Sequence, residues 1–396
     1  MEWLQKLKQQ SQECRTITPS YLLYDRALFW LYVVLLLIGF LAVTSASIPV
    51  GTRLFNDPFY FSKRDAGYLF LSLAVCYYSV QISSDRWEKW NTRLYLVAIV
   101  LLFLVMIPGI GKEVNGARRW IPFVFFNFQP AEFAKLALTC FLASYFTRRY
   151  NEVRGKKLSA IKPFIVMGGM GLFLLLQPDL GSTVVLFVIT FGMLFIVGAS
   201  IWQFIGLIAT GGILFVWLVL SSAYRLKRMT GFMDPFKDPY GTGFQLSNSL
   251  MAFGRGEING EGLGNSIQKL EYLPEAHTDF VMAVVGEEFG FIGIAIIIVL
   301  LGLLVFRAMK IGRESLQLEQ RFKGFLALGI SFWIFFQGFV NLGMALGMLP
   351  TKGLTFPLIS YGGSSLIIMS ITIGMLLRID HENRMLRGGQ ARLRND

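Results

Sequence analysis

Hydrophobic residues fall into ten long runs along the chain, separated by polar segments. A helix that crosses the hydrocarbon core of a bilayer needs roughly 20 apolar residues, and most of these runs approach that length. The pattern therefore predicts an all-α polytopic membrane protein with about ten transmembrane helices. The fifth, sixth and tenth runs are short, so one of them could be re-entrant. The runs cover about residues 27–46, 66–82, 94–109, 132–147, 161–176, 182–198, 201–221, 279–306, 324–347 and 365–378.

Composition supports the membrane class. Hydrophobic residues make up 54% of the chain, charged residues 16%, and the mean hydropathy is +0.55, which excludes a soluble globule and a disordered chain. The net charge of +12 does not indicate a nucleic-acid partner, because the basic residues lie in loops between apolar runs. Only three cysteines and two histidines occur, too few for a disulfide framework or a histidine-rich metal centre. Catalysis would have to use carboxylates, basic side chains or a bound ion.

Lysine and arginine predict the orientation. If the amino terminus is inside, the inner segments carry 23 of these residues and the outer segments 13, so the positive-inside rule places both termini in the cytoplasm. We expect a cytoplasmic tail at 1–26, one membrane domain at 27–378 and a second tail at 379–396. The polar first 26 residues lead into an uncleaved first span. A large periplasmic loop, 222–278, joins helices 7 and 8.

The segment PEAHTDF, 274–280, carries a carboxylate at the mouth of the eighth span. Burying a carboxylate there without compensation is costly, so Asp279 is a functional candidate. At 100° per residue it shares a helix face with a stripe of small residues, which would turn it into the bundle. An N-cap role is the alternative. The stripe consists of Ala283, Gly286, Gly290 and Gly293.

A second cluster lies in the segment 117–135. Glu132 and Lys135 are three residues apart and would be neighbours on a helix. They could form an intramembrane ion pair. Alternatively, Lys135 and Arg118 or Arg119 could bind an anionic headgroup, since guanidinium groups match phosphate oxygens.

Three further polar segments belong to the predicted outer side. QPDLG at 177–181 could be only a tight hairpin, and the glycines of 254–264 could form an anion-binding nest or a flexible linker. LPTKGLTFPLISYGGSS at 349–365 breaks the apolar pattern between spans nine and ten. Carboxylates and cations gathered on the outer side of the membrane could bind an amphiphile that has a polar, anionic head and a lipid tail. They are Glu132, Asp179, Glu275 and Asp279 with Arg119, Lys135, Lys269 and Lys352.

These segments resemble the SEDS family (shape, elongation, division and sporulation) from about residue 22 to 382. Thr351 and Lys352 resemble its division branch. The most specific motifs are RRWI at 118–121, QPAEFAKLAL at 129–138, QPDLGS at 177–182, the segment 249–280 and LPTKGLTFPLISYGGSSL at 349–366.

The resemblance implies a peptidoglycan glycosyltransferase that polymerises lipid II on the periplasmic face of the bacterial inner membrane, at the division septum. It also implies a class B penicillin-binding transpeptidase and other divisome proteins as partners. The catalytic aspartate of the family falls on Asp279. The predicted substrate-binding residues are Arg119, Gln129, Glu132, Lys135, Asp179, Lys269, Glu275, His277, Lys352 and Ser360.

Such a reaction joins an acceptor hydroxyl to the anomeric carbon of a lipid pyrophosphate donor. Inversion requires one displacement and one general base, for which Asp279 is the candidate. Pyrophosphate leaves as a stable anion, so charge stabilisation can replace the acid that inverting hydrolases need. The sequence has no dedicated metal motif, although a magnesium or manganese ion could share this task. The competing hypotheses are a flippase for the lipid-linked precursor and a non-catalytic divisome scaffold.

Overall fold

The computed structural model describes residues 24–114, 116–123, 126–155, 161–221, 231–350 and 353–395. Most of these residues are helical. The helices are α1 (Arg26–Phe55), α2 (Tyr60–Gln81), α3 (Ser84–Leu104), α4 (Pro130–Arg148), α5 (Tyr150–Gly155), α6 (Ile161–Leu176), α7 (Leu180–Val197), α8 (Ile201–Leu220), α9 (Phe244–Gly256), α10 (Val281–Gln317), α11 (Arg321–Ala345) and α12 (Gly363–Asn395).

Each of the ten predicted runs corresponds to one long helix, while α5 and α9 are additional short helices. Among the described residues, α1, α7, α10, α11 and α12 are each long and apolar enough to cross a membrane. The pair α2 and α3 would add a sixth crossing if it formed one span, bent by 111°. The polytopic all-α fold is thus confirmed, and the count of ten spans stays a prediction.

The contacts of α3 support separate crossings for α2 and α3. The backbone amide of Ser84, where α3 begins, donates to the carboxylate of Glu382 at 3.2 Å. Near the other end of α3, the carbonyl of Leu102 accepts a hydrogen bond from Gln177 at 2.8 Å. Glu382 and Gln177 belong to segments predicted on opposite sides of the membrane. We therefore favour two crossings over one bent span.

A small antiparallel sheet between α3 and α4 is an addition that the sequence analysis did not predict. Its strands are β1 (Lys112–Val114), β2 (Ala117–Pro122) and β3 (Asn127–Phe128), in the order β1-β2-β3. The turn between β1 and β2 contains Gly116 at φ 74°. Glycine adopts this left-handed conformation readily. The Asn-Gly pair at 115–116 is a strong hairpin signal in the sequence, and it could have predicted this turn.

Helix α11 runs through the interior of the bundle, where it packs against α4, α7 and α10. Its side chains Leu326, Trp333 and Ile334 are fully buried. Two polar side chains of the same helix, Gln337 and Asn341, are buried one turn apart near its carboxyl end. Buried polar groups need hydrogen-bond partners, so this end of α11 must meet other polar groups.

We expect reporter fusions after Arg26 and after Arg387 to report a cytoplasmic location, and a fusion within 240–260 to report an outer one. The excess of basic residues in the inner segments is the physical reason. Paired alkaline phosphatase and fluorescent-protein fusions would measure this. An inward-facing 240–260 segment would contradict both the topology and the mechanism proposed below.

Candidate active site

Asp279 lies two residues before α10 begins, and it is half-buried. The capping position of α10 is Phe280, so Asp279 lies one residue before the N-cap. The backbone carbonyl of Asp279 accepts a hydrogen bond from Asn341 Nδ2 at 2.8 Å. The side-chain oxygen Oδ2 of Asp279 lies 3.2 Å from the position that a Cβ added to Gly353 would occupy. The carboxylate therefore lies against the segment that follows α11.

Two amides of α11 hold this segment. Asn341 Nδ2 also donates to the carbonyl of Leu354, and Gln337 Nε2 donates to the carbonyl of Thr355 at 3.0 Å. Gln337 Oε1 in turn accepts from Lys135 Nζ at 2.9 Å. One polar network therefore runs from the backbone of Asp279 to α4.

The sequence reasoning missed Gln337 and Asn341. Two amides four residues apart in an otherwise apolar helix share one face. Polar residues inside a membrane helix usually face the protein interior, and that signal could have found them.

Glu132 and Lys135 form the ion pair that was one of the two alternatives. Lys135 Nζ lies 2.7 Å from Glu132 Oε1, and the lysine is fully buried. The ammonium also lies 5.4 Å from the centroid of a Trp333 ring. Glu132 Oε2 is buried and has no hydrogen-bond partner within the described part of the chain. A substrate phosphate would have to compete with Glu132 to reach Lys135.

Arg119 connects β2 to the turn between α6 and α7. Its Nε donates to the carbonyl of Gln177 at 3.2 Å and its Nη2 to that of Pro178 at 2.6 Å. Asp179 caps α7, because its carboxylate accepts from the amide and the hydroxyl of Ser182 at 3.1 and 2.8 Å. The QPDLG segment is therefore a tight turn between two helices, stabilised by Asp179 and Arg119.

Gln129 and Ser360 make hydrogen bonds to neighbouring segments of the candidate site. The amide of Gln129 donates to Ser364 Oγ at 2.9 Å, which ties the start of α4 to the start of α12. Ser360 Oγ accepts from the amide of Phe356 at 2.8 Å. Lys352 lies outside the described residues.

His277 and Glu275 belong to the turns just before Asp279. The His277 carbonyl accepts from the amide of Tyr361 at 3.0 Å, so this segment is also bound to the α11–α12 connection. Burial lowers the pKa of the His277 imidazole, against the opposing effect of the Glu275 carboxylate. Glu275 is exposed, and its carboxylate accepts from Thr278 Oγ1 at 2.8 Å.

Helix α10 is broken at Gly290, which has φ 64° and ψ −163°. The predicted stripe therefore does not continue in phase to Gly293, and that part of the prediction is wrong. The outer loop enters the break and bonds to the backbone groups that would pair with each other in an unbroken helix. The four bonds are Phe291 N–Glu257 O (2.9 Å), Ile292 N–Ile258 O (3.2 Å), Glu261 N–Glu287 O (2.9 Å) and Gly262 N–Glu288 O (2.9 Å).

Two consecutive carboxylates of α10 fix the same loop. Glu287 is fully buried and accepts from Arg255 Nη1 at 2.8 Å and from the amide of Ile267 at 2.9 Å. Glu288 pairs with Lys269 Nζ at 2.6 Å, and that ammonium also donates to Ser45 Oγ at 2.8 Å. Lys269 thus joins the loop to α10 and α1. Its predicted role in substrate binding has no support from these contacts.

Two amides of the glycine-rich segment already have partners, which argues against an open anion nest there. The amide of Gly260 donates to Gly256 O at 2.7 Å, and the amide of Gly262 is used in the helix break. Backbone amides that already have partners cannot cradle a phosphate. The segment instead sets the path of the loop that leads to Asp279.

We expect Gly260→Ala to destabilise the protein by roughly 1–3 kcal/mol, because a left-handed backbone is strained for a residue with a Cβ. Gly260 has φ +77°, and its added Cβ would lie 2.3 Å from the Glu288 carbonyl oxygen. Gly254→Ala is the matched control, since nothing lies within 4 Å of its added Cβ. Thermal unfolding of the purified variants would measure the difference, and equal melting temperatures would refute the tight fit.

Comparison with known families agrees with this fold. The family model described as cell cycle protein, which covers FtsW, RodA and SpoVE, matches residues 26–385. Similar chains include the probable peptidoglycan glycosyltransferases FtsW of Pasteurella multocida, at 80% identity, and of Haemophilus influenzae, at 75%. Both alignments span 396 residues and 100% of each chain.

Two solved structures are similar over nearly their whole length. One is a chain from work on the structural coordination of polymerization and crosslinking by a peptidoglycan synthase complex. It has 30% identity and a TM-score of 0.74, over 91% of this chain and 98% of that one. The other is the rod shape determining protein RodA of Thermus thermophilus. It has 30% identity and a TM-score of 0.66, over 92% of this chain and 99% of that one.

Proposed function

Because this chain belongs to the FtsW/RodA/SpoVE family of cell cycle proteins, we propose that it is a peptidoglycan glycosyltransferase that polymerises lipid II. Similarity over the full length to proteins named for that activity supports the reaction class. The observation that carries the mechanism is the half-buried Asp279 carboxylate, just outside α10 and against Gly353.

In this mechanism Asp279 accepts the proton of the acceptor's 4-hydroxyl as that oxygen attacks the anomeric carbon of the donor. The bond from that carbon to the lipid pyrophosphate breaks, and the configuration inverts. A general base must come within hydrogen-bond reach of the proton that it removes. Asp279 is partly exposed, and the Asn341 contact fixes its backbone.

Arg119 is the best-supported side chain for the pyrophosphate. Two of its guanidinium nitrogens donate to carbonyls of the α6–α7 turn, and a guanidinium has five N–H donors in all. Donors therefore remain for phosphate oxygens, which guanidinium binds well. Lys352 and Lys135 stay candidates for the same charge.

A magnesium or manganese ion that shares the pyrophosphate charge also stays a prediction. Among the described residues, no three His, Cys, Asp or Glu side chains gather as a metal site. The oxygen ligands of such an ion would then come largely from the substrate.

The protein is a multi-pass membrane protein, and we propose that it acts at the division septum with Asp279 facing the periplasm. Its partner would be a class B penicillin-binding transpeptidase, together with other divisome proteins. Similarity to a chain of a peptidoglycan synthase complex supports a partner. Exposed apolar side chains of α10 and α11 offer a surface for the partner's membrane helix: Phe291, Ile296, Val299, Phe335 and Phe339.

Reconstitution tests this function. The purified protein, with and without the transpeptidase, is incubated with lipid II in proteoliposomes, and the products are separated by length. We expect polymer. Movement of lipid II across the bilayer without polymer would favour the flippase. If the protein with the transpeptidase neither makes polymer nor moves lipid II, the scaffold would be favoured.

A further inference from the structure

Five aromatic rings and one imidazole form a row of contacts, here called the aromatic chain, on the predicted outer side. They come from the end of α1, the first turns of α2, the turn before α10 and the connection to α12. The centroid distances along the chain are 3.6 Å for Phe55–Tyr60, 5.3 Å for Tyr60–Phe61, 4.8 Å for Phe61–His277, 5.5 Å for His277–Tyr361 and 5.9 Å for Tyr361–Tyr68.

The aromatic chain leads from the surface towards the segment that carries Asp279. Phe55 is 46% exposed, Tyr60, Phe61 and Tyr361 are half-buried, and His277 is only 9% exposed. His277 is two residues from Asp279, so their Cα atoms lie at most about 7 Å apart. A ligand on these rings would thus extend to the neighbourhood of the proposed base.

Polar groups lie beside the rings. Arg64 donates to Tyr60 Oη at 3.1 Å, and its guanidinium carbon lies 5.7 Å from that ring's centroid. His277 Nδ1 is buried and, within the described residues, has no hydrogen-bond partner. Tyrosine combines an apolar face with a polar edge. A pyranose has the complementary form, with C–H groups on its faces and hydroxyls around its rim.

We propose that this aromatic chain binds the glycan strand, a polymer of β-linked amino sugars, beside the reacting sugar. The inference rests on the proposed function and adds a binding surface to it. Ring contacts would retain the strand between successive additions. Removing a ring should therefore release strands earlier and shorten them.

An aromatic belt at the membrane interface is the alternative, because tyrosine is also enriched there. Two features favour the glycan. The rings continue inward to the buried His277 instead of staying on a lipid-facing surface. Exposed ion pairs also flank the outer end, with 2.7 Å between Lys63 and Asp57 and 2.9 Å between Arg53 and Glu271. Such hydrated pairs indicate that this end faces water.

The test compares strand lengths made by wild-type protein, Phe55→Ala and Tyr60→Ala. One lost ring contact corresponds to roughly fivefold faster release, so we expect clearly shorter strands from both variants. Phe55→Tyr keeps the ring and should restore the length. Tyr78→Ala is the matched control. Like Tyr60, Tyr78 belongs to α2; it is exposed and is not part of the aromatic chain.

Unchanged strand lengths in Phe55→Ala and Tyr60→Ala would overturn the inference. Lower lipid II consumption with unchanged strand lengths would overturn it as well. A variant that loses only membrane insertion or thermal stability would also overturn it, because that is the effect expected of an aromatic belt at the membrane interface. If the wild-type protein itself makes no polymer, the proposed function fails first. The two failures are therefore distinguishable.

Discussion

The substitution Asp279→Asn should lower the rate of glycan polymerisation by about 10²–10⁴-fold, the usual cost of losing a general base. Asparagine has nearly the same size, and the contact from Asn341 reaches the backbone carbonyl of Asp279, so the local structure should persist. The initial rate of lipid II consumption by purified protein measures the effect. Thermal unfolding and binding of the transpeptidase should match the wild type.

Glu257→Gln provides a control for charge removal. Glu257 is exposed and belongs to the outer loop that precedes Asp279. Its contact with α10 is made by its backbone carbonyl, which accepts from the amide of Phe291, so the substitution leaves that contact in place. This variant should polymerise lipid II at close to the wild-type rate. Near-normal activity in Asp279→Asn would eliminate the single-base mechanism.

Lys135→Met should destabilise the protein by about 3–5 kcal/mol, the typical cost of leaving one member of a buried ion pair unpaired. Glu132 would lose its only ammonium contact in the described structure, at a site where it is 4% exposed. The double variant Glu132→Gln, Lys135→Met should recover most of the loss, because neutral replacement of a buried pair is often tolerated. A double-mutant cycle by denaturant unfolding measures both effects.

The double variant also separates the two roles of Lys135. If stability returns and polymerisation does not, the ammonium contacts substrate as the sequence predicted. Recovery of both would assign the pair to structure alone. A single variant as stable as the wild type would contradict the buried ion pair.

The helices could be predicted because long apolar runs have few stable conformations in a bilayer other than a helix. Runs such as 161–176 and 182–198 match α6 and α7 closely. Asp279 was also found correctly at the mouth of its helix, since a carboxylate beside an apolar run stands out. The ion pair was predictable as one alternative from the three-residue spacing of Glu132 and Lys135.

Other features depend on contacts between distant segments. Helical periodicity continues unchanged through Gly290, so nothing local reveals that the loop at 257–262 takes over the helix's hydrogen bonds. Lys269 and Asp179 looked like free outer charges, yet their partners are Glu288 and Ser182. Charge type and spacing identify polar residues, whereas the fold decides which of them neutralise each other.

The most direct measurement of the central claim is an experimental structure of the Asp279→Asn variant with lipid II bound. The account predicts that the acceptor's 4-hydroxyl lies within about 2.6–3.2 Å of the side chain at position 279, the reach of a general base. It also predicts a donor pyrophosphate near Arg119. An acceptor hydroxyl far from position 279, in a site that is otherwise correctly filled, would contradict the account.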